Sequence, residues 1–242
     1  MASVPFSDPP WLNGLPSPYF TESHRKWQAA IRPFLHERLH QHAMEWEAAE
    51  TVPEHVFGDF AAANMLVPAL PAPLPVEWLR GLGLGTLMGG LDVAEFDYLH
   101  GLIYTDEMTR SGLAGPGGSL TTGMAFGVPP IIKFGNKALQ KRFLPELLAG
   151  KKRSCIAITE PDAGSDVAGI TTRAVKSDDG RFYVVNGAKK WQVLSAVISP
   201  QFCRQLTASG LPTGSGLTTP PWPSALGRPK AELLASLCWS SP

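Results

Sequence analysis

One segment of the chain concentrates residue types that could bind a ligand. It runs from Ala157 to Val167 and reads Ala-Ile-Thr-Glu-Pro-Asp-Ala-Gly-Ser-Asp-Val. An apolar run ends there at the hydroxyl of Thr159, and Pro161 prevents a strand from continuing because proline lacks a backbone donor. The small residues 163–165 would let backbone N–H groups approach a ligand closely, as they do in anion-binding turns. The composition predicts a site for a flat or anionic ligand, although an ordinary tight turn uses the same residues.

Amphipathic helices are predicted before this segment, because apolar residues recur at helical spacing. The first helix is expected from Thr21 to Glu47, with Thr21 as its N-cap. Pro33 should kink this helix or start a new one, since proline removes a donor and clashes with the preceding turn. Its buried stripe is expected to contain Trp27, Ile31, Leu35 and Leu39.

Three further helices are expected, over residues 53–64, 92–111 and 136–150, the last with a kink at Pro145 and a stop at Gly150. The Pro-rich stretch 67–76 is interpreted as a surface loop, because it cannot hold regular hydrogen bonds. The residues predicted to face a core are Ala94, Leu99, Leu102, Ile103, Met108, Leu139, Phe143 and Leu147, and those predicted to face solvent are Asp92, Glu95, Asp106 and Glu107.

Strand-like runs replace the helical pattern near residue 151. Ser154 to Thr159 is a short β-type run, and Arg181 to Asn186 is rich in aromatic and β-branched residues before an Asn-Gly turn. We therefore expect a Pro-rich lead (1–20), an N-terminal α-helical domain (21–150) and a partial middle β domain (151–191).

The overall composition restricts the possible partners. The chain has 242 residues, with 21 basic and 21 acidic side chains, so no broad field attracts nucleic acid. The three cysteines show neither a disulfide framework nor a zinc-binding pattern, and no metal site is predicted. No apolar run reaches the length of a membrane span, and the first residues resemble neither a signal nor a transit peptide. A cytoplasmic location is expected as the sequence is written, with mitochondrial and peroxisomal locations left open.

Several separated stretches resemble the acyl-CoA dehydrogenase family. Ile156 to Asp166 is similar to the family's signature, in which a T-E-P-x-A-G-S-D stretch lines the flavin. Position 162 is often Gly in that family and is Asp here. Several motifs in the family's order are more specific than a single turn motif, and the chain is identified as a member of the family. The likeness covers roughly residues 17–191 and includes Tyr104–Met108, Phe134–Asn136, Leu144–Gly150 and Val185–Trp191.

The resemblance implies an α+β fold, in which an N-terminal all-α domain precedes a β domain that is incomplete here and the C-terminal helical bundle is missing. It also implies FAD as the cofactor and an acyl-CoA as the substrate. By position in the motif, Ile156, Ile158 and Thr159 would run along the isoalloxazine edge, Gly164 and Ser165 would lie by the flavin phosphates and the pantetheine arm of the substrate, and Trp191 would pack against the ring system.

The chemistry implied is α,β-dehydrogenation of an acyl-CoA to a trans-2-enoyl-CoA, with electrons passed to an electron-transfer flavoprotein or another acceptor. In the family the base is a Glu of the C-terminal bundle, and no residue of this chain matches it; Glu160 lies beside the flavin-lining turn. We therefore expect no catalytic residue and a truncated, inactive form. An acyl-CoA oxidase, a flavin monooxygenase on the same scaffold and a non-catalytic fragment are the alternatives.

The likeness to the family is expected to stop abruptly after Trp191, inside a motif. Residues 192–242 are rich in Ser, Pro, Thr and Leu and are expected to be irregular or disordered. A retained intron, a frameshift or a gene-model error is our hypothesis for their origin. Family members form homo-oligomers, and this chain would lack their usual interface.

Overall fold

The computed structural model describes residues 8–176, 178, 183–190 and 238–240, and the chain divides into two compact units, residues 1–151 and 152–242. The described part of the first unit is helical, as the predicted fold class requires. Its helices are α1 (Glu22–Leu35), α2 (Ala43–Ala48), α3 (Glu54–Ala62), α4 (Val76–Gly81), α5 (Tyr98–Thr109), α6 (Ala114–Thr122), α7 (Pro129–Phe134) and α8 (Lys137–Leu148).

Helix α1 begins where the sequence predicts, because the backbone N–H of Thr21 donates to Nδ1 of His24 at 2.9 Å and caps the first turn. The helix continues past Pro33, and regular α-helix ends at Leu35, where a π-helical segment (His36–His40) follows. The predicted helix to residue 47 is therefore divided into three pieces. The whole predicted stripe is buried, namely Trp27, Ile31, Leu35 and Leu39.

Helix α5 corrects two expectations. It begins at Tyr98 rather than near residue 92, because the Asp97 carboxylate caps it by accepting the backbone N–H groups of Leu99 and His100, both at 3.0 Å. The prediction that Glu107 faces solvent is wrong, since its side chain is fully buried. Of the predicted core residues, Ile103 and Met108 are buried, whereas Ala94 and Leu102 are exposed.

A network of charged and polar groups explains the burial of Glu107. Its carboxylate accepts hydrogen bonds from Gln28 Nε2 at 2.8 Å and from Arg32 Nη2 at 2.7 Å. Arg32 also pairs with Asp8 at 2.9 Å, and Arg110 pairs with Asp8 at 3.0 Å. A buried charge is tolerable when it is paired and hydrogen-bonded in this way. The network ties α1 to α5 and holds the segment before α1 on the same unit.

The interpretation of the Pro-rich stretch 67–76 as a surface loop is wrong. Val67, Leu70, Ala72 and Leu74 are all buried, and a 3₁₀ turn covers Val67–Ala69. Prolines alternate with these apolar residues, so the stretch places side chains in the core without needing regular backbone hydrogen bonds.

Helix α8 follows its predicted bounds closely but turns a different face to the core. Asn136 caps it by accepting the Leu139 N–H at 2.9 Å, and Gly150 follows it with φ of 67°. Pro145 lies inside the helix without ending it. The prediction that Leu139 is a core residue is wrong, because it is 43% exposed. The buried residues are Gln140, Leu144, Leu147 and Leu148.

The described part of the second unit contains two small antiparallel sheets. Strand β1 (Arg153–Cys155) pairs with β4 (Cys238–Ser240), and β2 (Arg173–Lys176) pairs with β3 (Tyr183–Asn186). The predicted run from Ser154 to Thr159 is strand only as far as Cys155, and residues 181 and 182 of the other predicted strand lie outside the described residues. Within the described ranges, no helix combines the length and apolarity needed to cross a membrane.

Candidate functional site

The predicted ligand-lining stretch follows β1 in the second unit and has no regular secondary structure. Ala157 is buried, Ile156 and Thr159 are half-buried, and the side chain of Ile158 is exposed. Among the described residues, neither the backbone N–H nor the hydroxyl of Thr159 has a hydrogen-bond partner. The stretch thus presents an apolar side chain next to two available donors.

A tight turn separates this stretch from the other two predicted ligand contacts. The backbone of Glu160 donates to the carbonyl of Ala163 at 3.0 Å and accepts from its N–H at 3.3 Å. Gly164 and Ser165 follow directly and are exposed. A Cβ added at Gly164 would meet no atom within 4 Å, so there is open space beside its backbone. Trp191 lies outside the described residues.

Glu160 is the most heavily hydrogen-bonded side chain of this region. One carboxylate oxygen accepts from the backbone N–H of Thr171 at 2.7 Å and from its hydroxyl at 2.8 Å. The other accepts from the backbone N–H of Thr172 at 3.0 Å, from its hydroxyl, and from Lys189 Nζ at 3.0 Å. Glu160 is buried, as is the side chain of Lys189, and the two form an ion pair inside the unit.

Lys189 and its neighbour also hold the backbone of the ligand-lining stretch. Lys189 Nζ donates a second hydrogen bond to the carbonyl of Ile158 at 3.0 Å, and the backbone N–H of Lys190 donates to the carbonyl of Thr159 at 2.8 Å. The chain that leads into Trp191 is therefore anchored beside the residues predicted to line the same ligand.

The electrostatics of Glu160 make it a poor proton acceptor. The hydroxyl of Thr172, the backbone N–H of Thr171 and then Lys189 hold the pKa of this carboxyl far below its usual range, against the opposing effect of burial. A general base works best with a pKa near the operating pH and within reach of its substrate. The arrangement supports the expectation that Glu160 is not the catalytic base.

Sequence reasoning missed Thr171, Thr172 and Lys189 as contributors to this region. Lys189 belongs to a quoted motif, Val185–Trp191, but its composition gives no sign of a buried partner. A consecutive threonine pair is common in strands. Only the fold brings these donors to Glu160, across 11 to 29 positions of the chain.

A separate cluster in the first unit brings together His24, Asp97 and His100, with ligand atoms within 4.8 Å of one another. His24 Nε2 lies 3.1 Å from one oxygen of the Asp97 carboxylate, and His100 Nδ1 lies 2.8 Å from the same oxygen. Partial burial raises the pKa of Asp97. Hydrogen bonds from the backbone N–H of His100 and from the His24 side chain outweigh this effect and hold the pKa of Asp97 at about 2.

These contacts assign the His24–Asp97–His100 cluster to the fold rather than to a metal centre. The remaining ring nitrogens are also used, because His24 Nδ1 accepts from Thr21 and His100 Nε2 lies 3.2 Å from the Ser23 hydroxyl. Asp97 Oδ1 also accepts the two backbone N–H groups that cap α5. The cluster connects the first turn of α1 to the first turn of α5.

Two domain descriptions of one protein family match the chain. The family description "Acyl-CoA dehydrogenase, N-terminal domain" matches residues 21–151, and "Acyl-CoA dehydrogenase, middle domain" matches residues 155–209. The second match extends to residue 209, so the prediction that the likeness stops after Trp191 is wrong. The chain is 62% identical over 218 residues to the acyl-CoA dehydrogenase apdG of Emericella nidulans, covering 90% of this chain and 49% of that protein. It thus spans about half the length of this relative.

Solved structures agree with this assignment. An acyl-CoA dehydrogenase from Geobacillus kaustophilus superposes with a TM-score of 0.56 at 27% identity, covering 73% of this chain and 41% of that one. An acyl-CoA dehydrogenase from Bacillus anthracis, described as complexed with FAD, superposes with a TM-score of 0.52 at 25% identity, covering 76% of this chain and 29% of that one. Together with the domain matches, these likenesses establish that the chain belongs to the acyl-CoA dehydrogenase family.

Proposed function

We propose that this chain supplies the flavin-lining part of an FAD-dependent enzyme that oxidises an acyl-CoA between its α and β carbons to a trans-2-enoyl-CoA. Family membership supports the reaction class, and the Bacillus anthracis relative is described with FAD. The observation that carries the proposal is the stretch ending at Thr159, whose N–H and hydroxyl are available while its carbonyl is held by Lys190.

The residues present fit FAD. A flavin has a flat apolar face and polar atoms along its edge, so it needs apolar side chains beside hydrogen-bond donors. The exposed side chain of Ile158 and the available donors of Thr159 provide this combination. Open space beside Gly164 allows a phosphate group to approach the backbone. When bound, FAD would accept the hydride that leaves the β-carbon of the substrate.

The residues would divide the binding task between them. Thr159 donates its N–H and hydroxyl to polar atoms of the isoalloxazine, which tunes the flavin as an electron acceptor. No catalytic base is assigned to this chain. Ile156 and Ile158 would lie along the ring, and Trp191, which is outside the described residues, would pack against the ring system. Gly164 and Ser165 would lie by the flavin phosphates, and Ser165 would also lie by the pantetheine arm of the acyl-CoA.

Flavin retention by the purified chain tests the binding proposal. The chain is mixed with FAD, passed through gel filtration, and examined by visible absorption. Retained flavin absorption is expected for the wild-type chain and for Thr105→Val, which removes an exposed hydroxyl from α5. Thr159→Val should weaken retention because it removes one of the two donors. A colourless wild-type chain would contradict FAD binding by these residues.

Adding acyl-CoA to the flavin-loaded chain then tests the reaction. The chain alone should hold its flavin without bleaching anaerobically, because no base is assigned to it. Bleaching is expected for a longer chain that also contains a C-terminal helical bundle with a base. Oxygen consumption with acyl-CoA would indicate an oxidase instead, and reduction of an electron-transfer flavoprotein would identify the proposed electron acceptor.

A further inference from the structure

We infer that Glu160 and Lys189 are positioning residues that set the geometry of the flavin-lining stretch, an inference that rests on the proposed FAD site. Neither is assigned a contact with flavin or substrate. Both act through Ile158 and Thr159, whose side chains and N–H groups would meet the ring. The inference follows from what each of their polar atoms contacts.

The Glu160 carboxylate fastens the turn to the start of β2. Four of its five hydrogen bonds come from Thr171 and Thr172, the two residues that immediately precede Arg173. A carboxylate held by this many donors cannot rotate without losing several of them at once. The end of the flavin-lining stretch therefore takes its position from the β2–β3 hairpin.

Lys189 extends the same connection to the backbone of the stretch. Its ammonium bridges Glu160 Oε1 and the Ile158 carbonyl, both at 3.0 Å, while the next residue donates its N–H to the Thr159 carbonyl. Positions 158, 159 and 160 are thus each held through an acceptor oxygen. Their acceptors are used inside the unit, which leaves the donors of Thr159 for a ligand.

Gly187 allows the end of β3 to pass close to the start of β2. A Cβ added at Gly187 would overlap the side chain of Thr172, so a glycine is required where the end of β3 passes the start of β2. This approach brings Lys189 to Glu160 and buries both side chains, with 6% and 3% of their side-chain surface exposed. Removing one member of such a pair leaves the other charge buried and unpaired, so its surroundings must rearrange.

The experiment measures backbone protection and flavin properties separately. Hydrogen exchange without FAD reports on the N–H groups of Thr171, Thr172 and Lys190, which are donors in the network. FAD affinity and the visible flavin spectrum report on the lining stretch. Lys189→Met and Glu160→Gln should speed exchange and weaken FAD binding by about tenfold or more, as loss of an outer partner does at metal sites.

Matched variants separate positioning from general destabilisation. Lys189→Arg keeps a cationic donor and should restore the wild-type flavin spectrum, which a space-filling role would not require. Lys151→Met and Asp162→Asn remove one positive and one negative charge at exposed positions and should leave both measurements unchanged. If Glu160→Gln fails to fold, Thr172→Val provides a milder change, because it removes only the hydroxyl that donates to Glu160 Oε1. It should shift the flavin spectrum in the same direction as Lys189→Met does.

The outcomes distinguish this inference from the proposed function. Wild-type exchange rates in both Lys189→Met and Glu160→Gln would overturn the positioning role, whether or not FAD binds. Faster exchange in a chain that never retains FAD would support the anchoring network and contradict the proposed function for this chain. If both variants bind FAD with the same affinity and the same visible spectrum as the wild-type chain, the positioning role is overturned. The proposed function would then still stand.

Discussion

The buried network around Glu107 gives a quantitative prediction for Glu107→Gln. The carboxylate is fully buried and accepts from Gln28 and from two nitrogens of Arg32. Glutamine has nearly the same shape but replaces an acceptor oxygen with an NH₂ donor, which would face the Arg32 donors. Breaking a buried ion pair by removing one partner typically costs 3–5 kcal/mol. We expect a loss of about 3 kcal/mol in the free energy of unfolding, at the lower end of this range. The loss is limited because Arg32 keeps its second partner, Asp8, at 2.9 Å.

Urea unfolding of the full chain, followed by far-UV circular dichroism of the helices, measures this loss. With a slope of about 2 kcal/mol per M, a loss of about 3 kcal/mol lowers the midpoint by about 1.5 M. The matched control is Asp59→Asn, which breaks an exposed pair with Arg38 at 3.1 Å. Exposed pairs contribute about 0–1 kcal/mol, so this control should shift the midpoint by less than about 0.5 M.

A double variant tests whether the unpaired charge is the cause. Adding Arg32→Met to Glu107→Gln removes the charge that was left without its partner, so the double variant should recover part of the lost stability. Equal midpoints for Glu107→Gln and Asp59→Asn would refute the reasoning. The reasoning would also fail if the double variant lost as much stability as the two single variants together, because the two changes would then be independent.

Three further changes should alter stability in the same urea assay. Tyr104→Phe should lower the free energy of unfolding by about 1–3 kcal/mol, because the buried hydroxyl donates to the Met65 carbonyl at 2.6 Å and that carbonyl would lose its partner. Gly150→Ala should lower it by about 1–3 kcal/mol, because φ is 67° there and a Cβ would collide with α3. Acid should also destabilise the chain: burial, then His24, holds the pKa of His100 below its ordinary 6.5, so the unfolded state binds protons first as the pH falls. The midpoint should therefore drop between about pH 7 and about pH 5, and His100→Asn should weaken this dependence without abolishing it, because burial lowers the pKa of His40 as well.

Helical periodicity predicted where the helices lie better than which face is buried. Glu107 is four positions after Ile103, so the spacing itself places both on one face of α5. The charge of Glu107 favours a solvent-facing position, and its partner Arg32 is 75 positions away in the sequence. In α8 the buried Gln140 is not among the predicted core residues. It is buried because its side-chain amide donates to carbonyls before the helix, at 2.9 Å to Ile132 and 3.1 Å to Gly135.

The Pro-rich stretch 67–76 shows the opposite error. The prolines by themselves favour a surface loop, because they cannot complete a hydrogen-bonded helix or sheet. Burial depends on the side chains between them, and Val67, Leu70 and Leu74 are apolar residues that enter the core. The lack of regular backbone hydrogen bonds limits secondary structure, and it does not determine exposure.

The candidate site shows why a carboxylate in a ligand-binding motif need not take part in the chemistry. Glu160 stands between Thr159 and Pro161, where sequence alone allows a base, a ligand contact or a structural anchor. An ionised carboxylate has about four lone-pair sites. Glu160 already accepts from five donors inside its own unit. Proton abstraction would require it to give up donors that fix the flavin-lining stretch, so its removal should disturb the binding of FAD before it disturbs any proton transfer.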